Sequence, residues 1–233
     1  MHISLTALAI VAGSILMSPV AARAANETPA AIRLADAADV LTDMMKASDK
    51  GIPQNLLNKA QCVIIIPNLK KAAFVVGAKY GRGFAMCRRD GGTGWTAPAS
   101  IRIEGGSFGF QIGGAEQDVI LLVMNESGMK RLLSDKFTLG GEASAAAGPV
   151  GREATAQTDV AMRAEMLSYS RSRGLFAGIS LQGATMRPDD DANAELYGGG
   201  VKNKTILTGS VTTPAAAAQL ESLLNRNSSR QTR

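Results

Sequence analysis

The stretch Cys62–Arg89, CVIIIPNLKKAAFVVGAKYGRGFAMCRR, decides the fold. Its apolar runs CVIIIP, AAFVVGAKY and GFAMCRR are short, β-branched or aromatic, and punctuated by Pro, Lys and Gly, which is a strand pattern and not that of an amphipathic helix. Gly81-Arg82 suits a tight II′-type hairpin turn, so the stretch reads as neighbouring antiparallel strands.

Upstream the period is helical. Thr28 followed by Pro29 is a helix start, and Leu34, Ala38, Leu41 and Met45, with Ala37 and Met44, form an apolar stripe ending near Gly51. Helix is expected over residues 29 to 49, then a short helix from Pro53 carrying Leu56 and Leu57. Downstream, Gly91-Gly92, Gly105-Gly106 and Gly113-Gly114 mark turns, bulges or close backbone approach around strands near Ile101 and Phe110. Further strands are expected over Asp118–Met124, Met166–Ser172 and Leu175–Thr185. Short helices are expected over Ser127–Leu133 and Ala192–Tyr197, and a C-terminal helix over Pro214–Leu224, with a polar, frayed end from Asn225. The expected fold is α+β: a twisted, mostly antiparallel sheet, open or barrel-like, with an N-terminal helix, short packing helices and a C-terminal helix.

The 233 residues, 45% of them hydrophobic, suffice for one sizeable core and give no sign of a second. Residues 1–24 carry an apolar run from Ile3 to Met17, then Pro19 and an Ala22-Arg23-Ala24 cleavage pattern, and read as a secretory signal peptide. The weakly charged start leaves an uncleaved anchor as the alternative. A single domain over 25–226 and a disordered tail over 227–233 complete the division. The expected location is periplasmic or secreted, with peripheral attachment to a membrane as a further form. Export makes a disulfide between Cys62 and Cys87 a candidate, the alternative being two buried thiols that never meet.

Net charge is +5, falling to +4 once Arg23 leaves with the signal peptide. So small a surplus, without a run of basic residues, does not describe a nucleic-acid binder. The only histidine is His2, so the mature chain lacks the usual proton carrier of serine and cysteine hydrolases and the usual zinc ligand. Gly105-Gly106-Ser107-Phe108-Gly109 satisfies G-x-S-x-G, but neither a following helix nor a histidine base is in prospect. Asp189, Asp191, Asn193 and Glu195 alternate like the start of a calcium loop, yet Ala194 and Gly200 stand where glycine and a bidentate Glu are required; Asp191 or a neighbour is better read as a helix cap. Gly81-Arg82-Gly83 is too short a glycine motif to point to a nucleotide. No cofactor and no metal are expected.

The segment SYSRSRGLFAGISL, Ser168–Leu181, changes character at Gly174 from hydroxyls and guanidinia to an apolar run. In a strand, Arg171 and Arg173 share one face beside Ser168, Ser170, Ser172 and Tyr169, all able to hold phosphate or carboxylate oxygens. AAAGPVGR, Ala145–Arg152, repeats the device with Arg152. Taken with WTAPASIRIEGGSFGFQIGG (Trp95–Gly114), DVILLVMN (Asp118–Asn125) and NAELYGG (Asn193–Gly199), these segments resemble the SYLF lipid-binding domain of yeast endocytic actin regulators over about Ile52 to Leu224. The resemblance implies a phospholipid-binding module.

The expected function is therefore non-catalytic binding of anionic phospholipid, or a similar envelope amphiphile, by an exported bacterial domain. Arg171, Arg173, Arg152, Lys70, Lys71, Arg82 and Arg88 are the candidate headgroup contacts, and Phe108, Phe110, Leu175 and Phe176 could shield acyl carbons. The N-terminal helix is net acidic and lacks large aromatic anchors, which favours packing on the core over membrane insertion. Two alternatives stand: an envelope structural or interaction module whose lipid binding is incidental, with a protein partner, and a histidine-free hydrolase using Ser107. An exported bacterial chain is not expected to meet actin.

Overall fold

Thr28 and Pro29 start the first helix as their chemistry dictates: the Thr28 hydroxyl accepts from the Ala31 amide at 3.2 Å and Pro29 occupies the first helical turn. The computed structural model describes residues 28–47, 51–89, 93–140, 145–149, 164–172, 175–177 and 181–228, without the side chains at 73–76, 107–113 and 175–177. Helix α1, Pro29–Lys46, buries Leu34, Ala37, Ala38, Leu41 and Met44 on the core, in keeping with its acidic exposed face. Helix α2 is Gln54–Lys59, with Pro53 as its cap residue and Leu56 and Leu57 buried.

Two long strands follow, β1 (Cys62–Cys87) and β2 (Ala99–Val123), forming one antiparallel ladder from Ala85↔Ala99 to Cys62↔Val123. The expected turn at Gly81-Arg82 is absent: Gly81 pairs with Ile103 and Arg82 with Arg102 in mid-ladder. The two strands expected near Ile101 and Phe110 and the one at Asp118–Met124 are likewise one continuous strand. Gly81 does not turn the chain; its missing side chain allows close approach. A Cβ on Gly81 would lie 2.7 Å from Leu69 Cδ1, and one on Gly83 only 2.0 Å from the Ile65 carbonyl oxygen.

That approach exists because β1 bends back on itself. Register shifts at Ile66/Leu69 and Phe74/Val75 break the regular pairing. At the first shift Asn68 adopts φ 51° and its amide donates to Asp118 Oδ1 at 3.1 Å. The two ends of β1 then meet: the Arg88 amide donates to the Gln61 carbonyl at 2.9 Å, and Cys62 and Cys87 form a disulfide with Cα atoms 3.9 Å apart.

Helix α3 (Glu126–Leu132) is capped by Asn125, whose side-chain oxygen accepts from the Gly128 amide. Strands β3 (Phe137–Thr138), β4 (Ala145–Ala147), β5 (Met166–Ser172), β6 (Leu175–Ala177) and β7 (Thr185–Pro188) complete a sheet ordered β3-β7-β2-β5-β4, with β1 added on β2 and β6 on β5. Only β4–β5 is parallel among the described pairings. The single strand expected over Leu175–Thr185 is instead β6 and β7, with a turn at Gln182-Gly183 where Gly183 has φ 78°. Helices α4 (Asp190–Tyr197), α5 (Asn203–Leu207) and α6 (Ala218–Asn227) close the chain, a short 3₁₀ turn at Ala215–Ala217 preceding α6. The fold is α+β with a sheet curled into a half-barrel.

Strand alternation divides the core in two. Val63, Ile65, Phe84, Met86, Ile120, Leu122, Leu167 and Tyr169 face outward under α1, α2 and α6. Ile64, Ile66, Ile101, Ile103, Val119, Leu121, Val123 and Met186 face the inside of the curl with Phe137, Ile206 and Leu207. Both faces are covered, which explains the near-continuous apolar reading of CVIII and VILLV.

Two stability tests follow from the fold-back. Gly83→Ala should lower stability by about 2 kcal/mol through overpacking against backbone, whereas Gly106→Ala, whose Cβ meets nothing closer than 3.8 Å, should change it by less than about 0.5 kcal/mol. Urea midpoints followed by the fluorescence of Trp95 measure both. Replacing both cysteines by serine should cost about 3 kcal/mol, since the bridge closes a loop with a sequence separation of 25; an unchanged midpoint would show that the ends of β1 hold without it.

Candidate functional site

The described candidate cations fall into two groups, internal and surface-facing. Arg88 is internal: it is 7% exposed, stacked 4.4 Å from the Trp95 ring centroid, and ringed by acceptors. Its guanidinium donates to the carbonyls of Ala60 and Ser228 at 3.0 Å and of Leu57 and Asn58 at 3.3 Å, and also to the Ser228 hydroxyl. It joins α2, the β1 end and the chain after α6, and is not available to a headgroup. The same cluster orders Ser228, which is 2% exposed, so the structured chain extends past Asn225, where fraying was expected.

Arg82 is held by Asp189, with Nε–Oδ2 at 2.5 Å and Nη2–Oδ1 at 2.8 Å. Asp189 is buried, so the N-cap residue of α4 spends its carboxylate on Arg82 and makes no side-chain cap bond. The hydrogen bond that Arg82 donates to Asp189 raises the Arg82 pKa above its ordinary value. Arg171 is shared by two acids: Nη2 lies 2.7 Å from Asp118 Oδ2, and Nη1 pairs with Asp43 of α1. It ties α1, β2 and β5 together. Two of the neighbouring hydroxyls are also used internally. Ser168 donates to the Ala146 carbonyl, Ser172 to the Glu116 carbonyl, and Tyr169 is buried with its ring against Gly148, where a Cβ would come within 2.2 Å. Burial pushes the Tyr169 hydroxyl well above its ordinary pKa. Arg152 and Arg173 lie outside the described residues, as do the side chains of Phe108, Phe110, Leu175 and Phe176.

Lys70 and Lys71 differ from the arginines. Lys70 is exposed and reaches Glu116 only at 3.8 Å. Lys71 is half-buried, and burial together with the charge of Lys79 pushes its pKa below the usual lysine value. It has no carboxylate partner among the described residues. The two lysines flank an open concavity of about 820 Å³ walled by Ala72, Gly114, Ala115, Glu116 and Ser172. The groove lies where the β1–β2 ladder runs past its neighbours: β7 pairs β2 only over Ile101–Glu104 and β5 only over Asp118–Val123. The intervening two-stranded arm carries the glycine-rich segment. Gly114 and Ala115 as groove walls follow from that geometry, which also places Lys79, one of several cations legible in the sequence, as a second charge on Lys71.

Enzyme-like patterns take structural roles. Ser107 sits in mid-β2 opposite Gly77, with strand continuing to Val123, so the strand-to-helix elbow of a hydrolase is not formed. Of the calcium-like residues, Asn193 accepts from the Ser100 amide at 2.8 Å and Glu195 accepts from the Ala30 amide at 2.9 Å. Among the described residues no three His, Cys, Asp or Glu side chains gather as a metal site, and no helix is long and apolar enough to cross a membrane.

The described residues form a curled α+β half-barrel in which Arg82 and Arg171 lock elements together and Lys70 and Lys71 line an open groove. The chain belongs to the Ysc84 family, described as Las17-binding protein actin regulator, whose model matches residues 104–227; this is the SYLF domain. It is 38% identical over 177 residues to SH3 domain-containing protein PJ696.02 of Schizosaccharomyces pombe, covering 75% of this chain and 41% of that protein. It is 34% identical to SH3 domain-containing YSC84-like protein 1 of Xenopus laevis, covering 76% and 53%. To Protein YSC84 of Saccharomyces cerevisiae it is 34% identical, covering 81% and 42%. The chain thus spans about half the length of these curated relatives. The family description speaks of Las17 binding and actin regulation. That description is in mild conflict with the expectation that an exported chain does not meet actin.

Arg88→Met should lower stability by about 3 kcal/mol or more, because it strands four buried carbonyls and a hydroxyl without their cation. Urea titration of the purified chain measures it; a loss below about 1 kcal/mol would mean that the cluster is dispensable.

Proposed function

We propose that this chain is a non-catalytic binder of anionic phospholipid or a similar envelope amphiphile, acting after export at the groove flanked by Lys70 and Lys71. The observation that carries this reading is Lys71: a half-buried ammonium with a second lysine nearby and no described counter-ion. A cation kept in such a place is unfavourable for the free protein and is relieved by an external anion. The groove offers small apolar walls beside that charge, which suits a headgroup attached to a hydrocarbon. Arg171, Arg82 and Arg88 are not part of the proposal, because Arg171 and Arg82 are paired with carboxylates and Arg88 is buried against backbone carbonyls.

A second reading, a docking surface for a protein partner, draws on the family description as Las17-binding and on the two-stranded arm. The two differ in what binds. Lys70→Gln with Lys71→Gln should weaken co-sedimentation with phosphatidylglycerol-containing vesicles at least about tenfold, the equivalent of about 1.4 kcal/mol. Lys59→Gln with Lys130→Gln, removing equal charge from exposed helix positions, should have little effect. Binding should also weaken as pH rises through a range below the ordinary lysine pKa, as Lys71 loses its proton. Equal losses in both pairs would leave net charge alone as the cause. Unchanged vesicle binding in the Lys70/Lys71 pair would remove the groove from the reading.

A further inference from the structure

Three arginines stand in one row across three neighbouring strands. Arg82 of β1 lies opposite Arg102 of β2, and Arg102 lies opposite Arg187 of β7. Residues directly opposed in antiparallel strands share a face, and like charges so placed destabilise the sheet unless something intervenes. Asp189 answers Arg82. For the other two there is one carboxylate: Glu104 accepts from Arg187 Nη2 with both oxygens, at 2.8 and 2.6 Å, and lies 3.5 Å from Arg102 Nε. The hydrogen bond from Arg187, with the charges of Arg187, Arg102 and Lys136, holds the Glu104 carboxyl below its ordinary range. The Nε atoms of both arginines are buried and make no hydrogen bond.

Beside this pair a pocket of about 360 Å³ opens, lined by Arg102, Arg187, Lys202 and Lys204 together with Asp135 and Asp190. Lys202 approaches Asp190 only at 3.4 Å, both side chains being more than half exposed. Lys204 has no carboxylate partner among the described residues. Four cations thus meet two acids at the pocket wall, and three when Glu104 is counted. The pocket is small and charged, unlike the apolar-walled groove at Lys70.

We propose that this pocket is a second anion site, selective for a phosphomonoester dianion, and that Glu104 is a built-in occupant that keeps two opposed guanidinia in place until the ligand arrives. Guanidinium forks match phosphate oxygens in pairs, and the lysines add point charges at the mouth. A dianion answers two arginines where Glu104 supplies a single charge. The site is independent of the groove at Lys70 and Lys71.

Titration of the full chain with inorganic phosphate and with glycerol phosphate, followed by calorimetry, tests the site. Lys202→Gln with Lys204→Gln, at exposed positions that leave the fold intact, should weaken phosphate binding at least about fivefold. Glu104→Gln should strengthen it about tenfold by removing the competing carboxylate. Lys70→Gln with Lys71→Gln should leave it unchanged, which separates this site from the groove. Phosphatidylcholine vesicles doped with phosphatidic acid decide the source: loss of vesicle binding along with phosphate binding in the Lys202/Lys204 pair assigns a lipid headgroup, and loss of phosphate binding alone assigns a soluble phosphomonoester. Unchanged phosphate affinity in that pair, equal losses in the two lysine pairs, or no phosphate binding by the wild-type chain would overturn the site. A folded Glu104→Gln chain with no gain in affinity would overturn the role of Glu104. Should that variant unfold, the Lys202/Lys204 pair still decides.

Discussion

The fold rests on one backbone contact, the return of β1 onto itself. Gly83 lies against the Ile65 carbonyl at a distance that no side chain there allows, and Gly81 against the side chains of Leu69 and Ile66, which would have to shift to admit one. Once that contact is made, the ends of the strand meet at the disulfide and at the Arg88–Gln61 backbone bond, and the sheet has to curl. The curl creates an inside and an outside. Each alternate residue of β1 and β2 then has its own core to fill, so the apolar run Val63–Ile66 supplies both layers.

The same closure sorts the charges. Where α2 and the end of α6 converge on the strand junction, backbone carbonyls are left facing inward, and Arg88 satisfies them while stacking on Trp95. Arg82 and Arg171 each bring a helix into line, α4 through Asp189 and α1 through Asp43. Buried or half-buried arginines with carboxylate partners specify geometry more than they add stability, because desolvation offsets much of the attraction. The lysines follow another rule. A flexible ammonium can stay near water, so Lys70 and Lys71 line an open groove on the arm that extends past the neighbouring strands.

The structure gives several motif residues packing roles. Gly148 of the AAAGPVGR segment makes room for the ring of Tyr169 from the SYSRSRGLFAGISL segment, which couples the two motifs physically. Asn193 of NAELYGG binds both the Ser100 amide and the Asn203 side chain, tying α4 and α5 to β2. These are packing and satisfaction roles for residues that, read in isolation, resembled an anion rim and a calcium loop.

The sequence alone determined the α+β class, the helix start at Thr28 and the strand Met166–Ser172, because each depends on residues near one another, and it offered the Cys62–Cys87 bridge as one of two readings. It also pointed to Lys70 and Lys71 as surface charges. It could not distinguish a glycine that turns the chain from one that lets two strands touch, so Gly81-Arg82 read as a hairpin until the distant contact with Ile65, Ile66 and Leu69 was visible. It could not decide which cations were free either. The acids that take up Arg82 and Arg171 lie 107, 53 and 128 residues away along the chain, and only the tertiary fold brings them within hydrogen-bond reach. A charge is local in sequence, but its counter-ion is not, and which cations remain for a ligand is therefore decided by the tertiary structure.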